Sequence, residues 1–227
     1  MNLGYEPALA GIHPEDIRDA HHISLYLVLL QKVPFLPGST QNLKALEIGC
    51  GRGGGCYTMQ KYLGLQNITG LDLSPGNIRL AQKNVRQVNF RQANAATFET
   101  NELYDLVVNL ESSHAYPSRP GFFQRVSRSL KPGGYFAFGD LIRKPVLADT
   151  EKALEEAGFD ILHAETINEN VIRSVEKNSR RHHPLPSLFP FLFPKKYHSF
   201  TFTVHSRAFR VLKEREVLYR IYLLQKK

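Results

Sequence analysis

Between residues 46 and 55 the chain reads Leu46-Glu47-Ile48-Gly49-Cys50-Gly51-Arg52-Gly53-Gly54-Gly55, an apolar strand-like run that breaks into glycines before a helix-like segment. Glycines at 49, 51 and 53 let the backbone turn through positive φ and keep side chains out of the way of an approaching ligand. A helix starting directly afterwards turns its unpaired N–H groups toward the same space. Few chains can fold around such a turn except as a strand that delivers a loop to the edge of a sheet, and a nucleotide-bearing small molecule suits the cradle it makes.

The turn alone is ambiguous, because Gly49, Gly51 and Gly54 also fit the G-x-G-x-x-G spacing of dinucleotide-binding folds. The next segment narrows the choice. Ile68-Thr69-Gly70-Leu71-Asp72-Leu73-Ser74 reads as a second short strand that ends in an acid. Asp72 follows Gly51 by 21 residues, close to the roughly 20 at which a carboxylate meets ribose hydroxyls.

Together with Leu130-Lys131-Pro132-Gly133-Gly134 ahead of another strand, these motifs resemble the class I S-adenosylmethionine (SAM) dependent methyltransferases, over about residues 43–142 and in that family's order. Small-molecule members acting on sugars, phenols, polyketides or lipids are the most similar. The resemblance implies that the turn, with Glu47, Gly49, Cys50, Gly51 and Gly53, holds the methionine half of SAM. It also implies that Asp72 holds the ribose hydroxyls and that Leu73 packs on adenine. Members often carry Gly-Asp-Ala after the third strand, where this chain has Ala93-Asn94-Ala95. Asn94 keeps an amide oxygen to meet the adenine amino group but brings no charge. The Asn109 position, by the same resemblance, lends its carbonyl to the SAM amino group.

The size, 227 residues with 42% hydrophobic and 22% charged, fits one globular α/β domain and argues against disorder. No apolar run reaches the roughly 20 residues of a membrane span, and the N-terminus lacks the pattern of a signal peptide. Cys50 and Cys56 flank one turn and form neither a disulfide framework nor a zinc set, so no metal is expected and a cytoplasmic location is.

Alternation of strand-like and helix-like runs implies a mostly parallel sheet covered on both faces. Strands are expected at 44–48, 68–71, 88–92, 105–109, 135–139, 161–164 and 217–224, and the family resemblance implies that the last two form an antiparallel edge. Helices are expected at 14–20, 23–32, 56–63, 75–85, 122–130 and 150–157. The expected fold class is a Rossmann-like seven-stranded α/β sheet with an N-terminal helical lid (1–40), a SAM-binding core (41–165), a substrate-lid insert (166–214) and the last strand (215–227).

Charge is concentrated in the final quarter. Residues 1–172 hold 16 Lys and Arg against 18 Asp and Glu, whereas 173–227 hold 13 against 3. The same quarter carries Arg180-Arg181-His182-His183 and a run alternating Phe with Pro184, Pro186, Pro190 and Pro194, which excludes a regular helix there. Read as an apolar lid with cationic edges, it selects a hydrophobic acceptor. Read as cations interleaved with aromatics, it contacts RNA, and read as a basic surface it docks on an anionic membrane. A dimer interface is a further reading.

Ligands of open α/β sheets bind beyond the carboxyl ends of the strands. There the chain carries Asn109-Leu110-Glu111-Ser112-Ser113-His114 after strand four and Phe138-Gly139-Asp140 at the end of strand five. Similar Glu-Ser-x-His and strand-end Asp positions occur in the small-molecule methyltransferases, and the resemblance implies that His and Asp remove the acceptor proton. His114 is thus the candidate general base, with Asp140 orienting it and Glu111 competing for the role. The plainer alternatives are a loop histidine bonded to backbone, an aspartate that caps the next segment, and a glutamate that holds the loop. The place after strand four lacks the Asn/Asp-Pro-Pro-Phe/Tyr type motif of amino-methylating relatives, which favours oxygen or carbon acceptors. Against a nicotinamide dehydrogenase stand the helical residues ahead of the first strand and Glu47 two places before the first glycine.

Overall fold

The computed structural model describes residues 2–36, 40, 42–181, 204 and 206–227. Its sheet has seven strands: β1 Lys44–Ile48, β2 Asn67–Asp72, β3 Asn89–Gln92, β4 Tyr104–Leu110, β5 Leu130–Arg143, β6 Phe159–Thr166 and β7 Val217–Lys226. Their order is β3-β2-β1-β4-β5-β7-β6. All neighbours up to β5 run parallel, and β7 is antiparallel to both β5 and β6. Chain order reverses between β1 and β4, which makes the crevice beyond their carboxyl ends the place for a ligand.

The helices are α1 Ala20–Leu30, α2 Gly54–Leu63, α3 Pro75–Asn84, α4 Arg119–Ser129, α5 Leu147–Glu156, α6 Asn168–Arg181 and α7 Arg207–Lys213. One face of the sheet is covered by Leu25 and Leu29 of α1, Met59 of α2, Ala81 of α3, Val171 of α6 and Leu212 of α7. The other packs Phe123 and Val126 of α4 and Leu154 of α5 against Phe136, Phe138 and Tyr222. With both faces covered, the central strands are largely apolar. In β1 only Lys44 is exposed, and Glu47 is buried with its apolar neighbours.

Helix starts follow local chemistry. Ser74 accepts from the Asn77 amide and Pro75 opens α3, while Ser118 accepts from the Gly121 amide at α4. Residues 14–20, expected as a helix, form only a 3₁₀ turn at Pro14–Asp16, and α1 begins at Ala20. The turn is held by side chains, since Asp16 accepts from Tyr57, Tyr62 and Lys61 of α2, and these bonds take the place of helix continuation. Within the span expected as a lid insert, α6 and α7 pack on the sheet through Val171, Val175, Phe209 and Leu212. The signal was legible, because Val171 and Val175 stand four residues apart in a proline-free stretch. His182, His183 and the Phe/Pro run lie outside the described residues.

Candidate active site

The glycine turn leaves β1 with Gly49 at φ +76°, and the amides of Gly49 and Cys50 both bond to the Leu71 carbonyl of β2. A Cβ on Gly49 would lie 2.5 Å from Ser112 Oγ and 3.1 Å from the Tyr116 hydroxyl. Gly49 is therefore needed both for its left-handed backbone and for the close approach of the loop after β4. At Gly51 and Gly54 a Cβ would meet nothing within 4 Å, which leaves the mouth of the cradle open.

Asp72 ends β2 beside this mouth. Its Oδ2 accepts the Gly51 N–H at 2.9 Å, and its Oδ1 accepts the Ser74 N–H at 2.9 Å and Asn77 Nδ2 at 3.1 Å. Three donors fix the carboxylate and leave part of its acceptor capacity, about four positions, for sugar hydroxyls. Leu73 follows with 65% of its surface exposed, an apolar side chain presented for a ring to cover. Asn94 is exposed and its Oδ1 already accepts the Ala96 N–H at 2.9 Å, so it can meet an adenine only with a remaining lone pair or with Nδ2. Ala95 beside it is half-buried.

Glu47 and Cys50 face away from the mouth. Glu47 is 1% exposed, its Oε1 accepts from the Tyr26 hydroxyl at 2.7 Å and its Oε2 from Cys56 Sγ at 3.0 Å. Burial pushes its carboxyl up to about 7 in spite of those bonds. Burial likewise raises the Cys50 thiol, and Cys50 can reach a ligand only through its backbone. Gly53, the N-terminal cap of α2, packs against Phe90, Val85 and Ala81. Asn109 spans the crevice: its Nδ2 donates to the Ile48 carbonyl at 2.9 Å and to Ser112 Oγ at 2.6 Å, while its buried Oδ1 has no partner among the described residues.

Beyond β4 and β5 the sheet brings His114 and Asp140 together. Asp140 is fully buried. Its Oδ1 lies 2.6 Å from His114 Nδ1 and accepts the Leu141 N–H at 2.7 Å; its Oδ2 accepts the His114 N–H at 2.8 Å and the Ser113 hydroxyl. An acceptor-only carboxylate against Nδ1 fixes the proton there and leaves Nε2 with the lone pair. The Asp140 hydrogen bond holds the imidazole above its ordinary pKa although burial opposes it. With its side chain 44% exposed, His114 can reach a substrate.

Glu111 does not join this pair. It occupies the left-handed region at φ +51°, and its Oε1 accepts the Leu3 N–H at 2.8 Å and the Tyr219 hydroxyl at 2.7 Å. Burial pushes its carboxyl up to about 7. It ties the N-terminal segment and β7 to the loop that carries His114. Sequence reasoning missed Tyr26, Tyr116, Arg119 and Tyr219, the partners of the acids and of the turn. Tyr26, Arg119 and Tyr219 come from other elements, where no local spacing announces them, whereas Tyr116 stands on the same loop, four residues after its partner Ser112. A recess of about 220 Å³ lined by Phe98, Glu99, Arg125 and Arg128 lies where α4 hands over to the start of β5, at the opposite edge of the sheet. Among the described residues no helix is long and apolar enough to cross a membrane, and no group of three or more His, Cys, Asp or Glu could hold a metal ion.

An open glycine cradle, a fixed acid at the end of β2 and an exposed leucine beside it, all at the switch point of a Rossmann-like sheet, define a nucleotide-cofactor enzyme. Residues 46–138 match the family model described as "Methyltransferase domain". The chain is 34% identical over 199 residues, 82% of its length and 75% of the relative's, to "Probable phthiotriol/phenolphthiotriol dimycocerosates methyltransferase 2" of Mycobacterium ulcerans. It is 32% identical over 183 residues, 78% of its length and 65% of the relative's, to the fatty-acid O-methyltransferase of Mycolicibacterium smegmatis. Its fold is similar to that of geranyl diphosphate C-methyltransferase from Streptomyces coelicolor, solved with S-adenosyl-L-homocysteine, at a TM-score of 0.73, 14% identity and coverage of 99% of this chain and 92% of that one. The chain belongs to the SAM-dependent methyltransferases, as its motifs led us to expect, and the donor is SAM.

Proposed function

We propose that this enzyme methylates a hydroxyl of a hydrophobic small molecule, of lipid or polyketide type, and that His114 is its general base. The observation that carries the reading is the His114–Asp140 pair, 2.6 Å apart, at the carboxyl edge of the same sheet as the glycine cradle. Asp72 and Leu73 would hold the ribose and adenine of SAM, and the backbone of residues 49–53 its methionine half. When bound, SAM supplies a methyl group already activated by the sulfonium.

What remains for the protein is alignment of the acceptor oxygen and removal of its proton. Asp140 holds Nδ1–H and orients the ring, so that Nε2 takes the proton from the acceptor hydroxyl. Asp140 then stabilises the imidazolium. Two relatives support the acceptor class, since one is named for methyl transfer to phthiotriol and phenolphthiotriol dimycocerosates and the other for O-methylation of a fatty acid. Glu111 serves this reading as a structural tie, because both its bonds hold backbone and Tyr219 in place.

Incubation of the protein with methyl-labelled SAM and separate fatty-acid, polyketide-lipid and RNA fractions tests the proposal. Label in a lipid methyl ether supports it; label confined to methyl esters, whose carboxylate acceptors carry no proton to remove, overturns the hydroxyl acceptor and the base, and label confined to RNA overturns it in favour of the basic C-terminal quarter as a nucleic-acid surface.

A further inference from the structure

We infer that Arg119 and Ser113 are positioning residues for the His114–Asp140 pair, which they hold in one orientation from the side opposite the imidazole. Asp140 is fully buried, and burying a carboxylate is costly unless it is hydrogen-bonded. Its Oδ2 is satisfied by the Ser113 hydroxyl and the His114 N–H. Ser113 Oγ is in turn fixed by Arg119 Nε at 3.2 Å, and Arg119 Nη2 donates to the Leu141 carbonyl at 2.8 Å and stands 3.7 Å from Asp140 Oδ2.

The guanidinium fork therefore grips both neighbours of the aspartate, one on the loop after β4 and one on β5, from the first residue of α4. Its side chain is only 18% exposed, so its charge is poorly screened. Lysine, with a single point charge, cannot span two partners in this planar way. Without Arg119, Ser113 is free to turn its hydroxyl away, and Oδ2 loses a donor and a nearby cation. Asp140 then keeps its bonds to His114 and Leu141, but its Oδ2 is held by the His114 N–H alone, and the imidazole is less firmly fixed with Nε2 facing outward.

The charged groups that face His114 are Asp140 of β5, Glu111 of the loop after β4 and Arg119 of α4. The two acids favour the imidazolium and the arginine opposes it. Arg119 thus keeps the base neutral to lower pH than the acids alone would allow.

This inference rests on His114 as the base, and the experiment separates the two. Arg119→Gln, Arg119→Lys and Ser113→Ala are assayed across pH 5.5–9 for kcat/KM, SAM affinity is measured by calorimetry, and the His114 ring is titrated by NMR. The NMR titration reads the positioning role even if His114 is not the base. For Arg119→Gln the expected result is unchanged SAM affinity, an imidazole pKa raised by about half a unit or more and a rate limb displaced by the same amount. Arg119→Lys should restore the position of the limb but not the full rate, because it returns charge without the fork. Ser113→Ala should lower kcat with a smaller displacement. An unchanged imidazole titration in Arg119→Gln, together with a uniform fall in rate at all pH values, would overturn the inference. Full activity in His114→Gln would overturn the base assignment instead.

Discussion

His114 is bound to Asp140 twice, through Nδ1 to Oδ1 at 2.6 Å and through its own backbone N–H to Oδ2 at 2.8 Å. The aspartate thus holds both the ring and the peptide that carries it. Rotation of the ring away from the cradle breaks one bond while the other anchors its backbone, which is how a loop residue acquires the fixed orientation proton transfer needs.

Replacing His114 with Gln should lower kcat by roughly 10² to 10⁴ and leave SAM affinity unchanged, because none of the cradle's bonds involves the imidazole. In the native enzyme kcat/KM should rise with pH through a limb above the ordinary imidazole value, since Asp140 raises the pKa and only the neutral ring accepts a proton. Steady-state rates from pH 5.5 to 9 check both. A flat profile, or a native one that falls over this range, rules the base out.

Asp72→Asn should weaken SAM binding by about 10-fold to 100-fold, the loss of one charge-assisted hydrogen bond worth about 1.5–3 kcal/mol. The amide nitrogen of Asn would confront either the Gly51 N–H or the donors Ser74 N–H and Asn77 Nδ2. The turn would therefore loosen as well as lose an acceptor. Calorimetric titration with SAM and with its demethylated product measures the effect, and equal affinity in variant and native protein would contradict the role given to Asp72.

Gly49→Ala should be among the more damaging single methyl additions. The positive φ alone costs roughly 1–2 kcal/mol, and the new Cβ would press on Ser112 Oγ at 2.5 Å. About 2–4 °C of Tm per kcal/mol is typical for a chain of this size. Thermal denaturation should show a loss of several degrees, with a weaker response to added SAM. Gly51→Ala, where no atom lies within 4 Å of the Cβ, should cost backbone strain only and so make the smaller change in Tm.

Much of this arrangement could be read from the sequence because it is local. The turn at 49–53, Asp72 and the strand ends at Asn109 and Asp140 each depend on a few adjacent residues, and parallel strands bring their carboxyl ends to one edge whatever lies between them. The alternation of apolar runs located all seven strands, with β5 longer than its apolar stretch because Leu130 pairs with Tyr104 ahead of it and residues 140–143 pair with β7 beyond it. What stayed hidden is long-range. Tyr26, Tyr219 and Leu3 find Glu47 and Glu111 from elements 21 and 108 residues away, and no spacing in the chain encodes those encounters. Helix α6 is a different case: the spacing of Val171 and Val175 announces it, but the proline-rich run that follows drew its residues into the span expected as a lid.

Glu47 makes stability depend on pH in a direction opposite to that of a salt-bridged carboxylate. Burial raises its pKa from 4.5 unfolded to about 7 folded, so between those values the folded chain keeps a proton that the unfolded chain has released. Stability from this group is fully present below pH 4.5 and is lost as pH rises through 7, a loss on the order of 3 kcal/mol at face value. Glu111, raised to about 7 as well, adds a loss of the same sign. Gln at position 47 copies the protonated acid: its oxygen still accepts from Tyr26, and Cys56 Sγ can turn to accept from its amide nitrogen. Urea denaturation at pH 5 and pH 8 should show a clear fall in midpoint for the native enzyme and a shallower fall for Glu47→Gln, with the variant equal or more stable at pH 8. A variant that loses as much as the native chain over this interval would mean that Glu47 does not carry the proton.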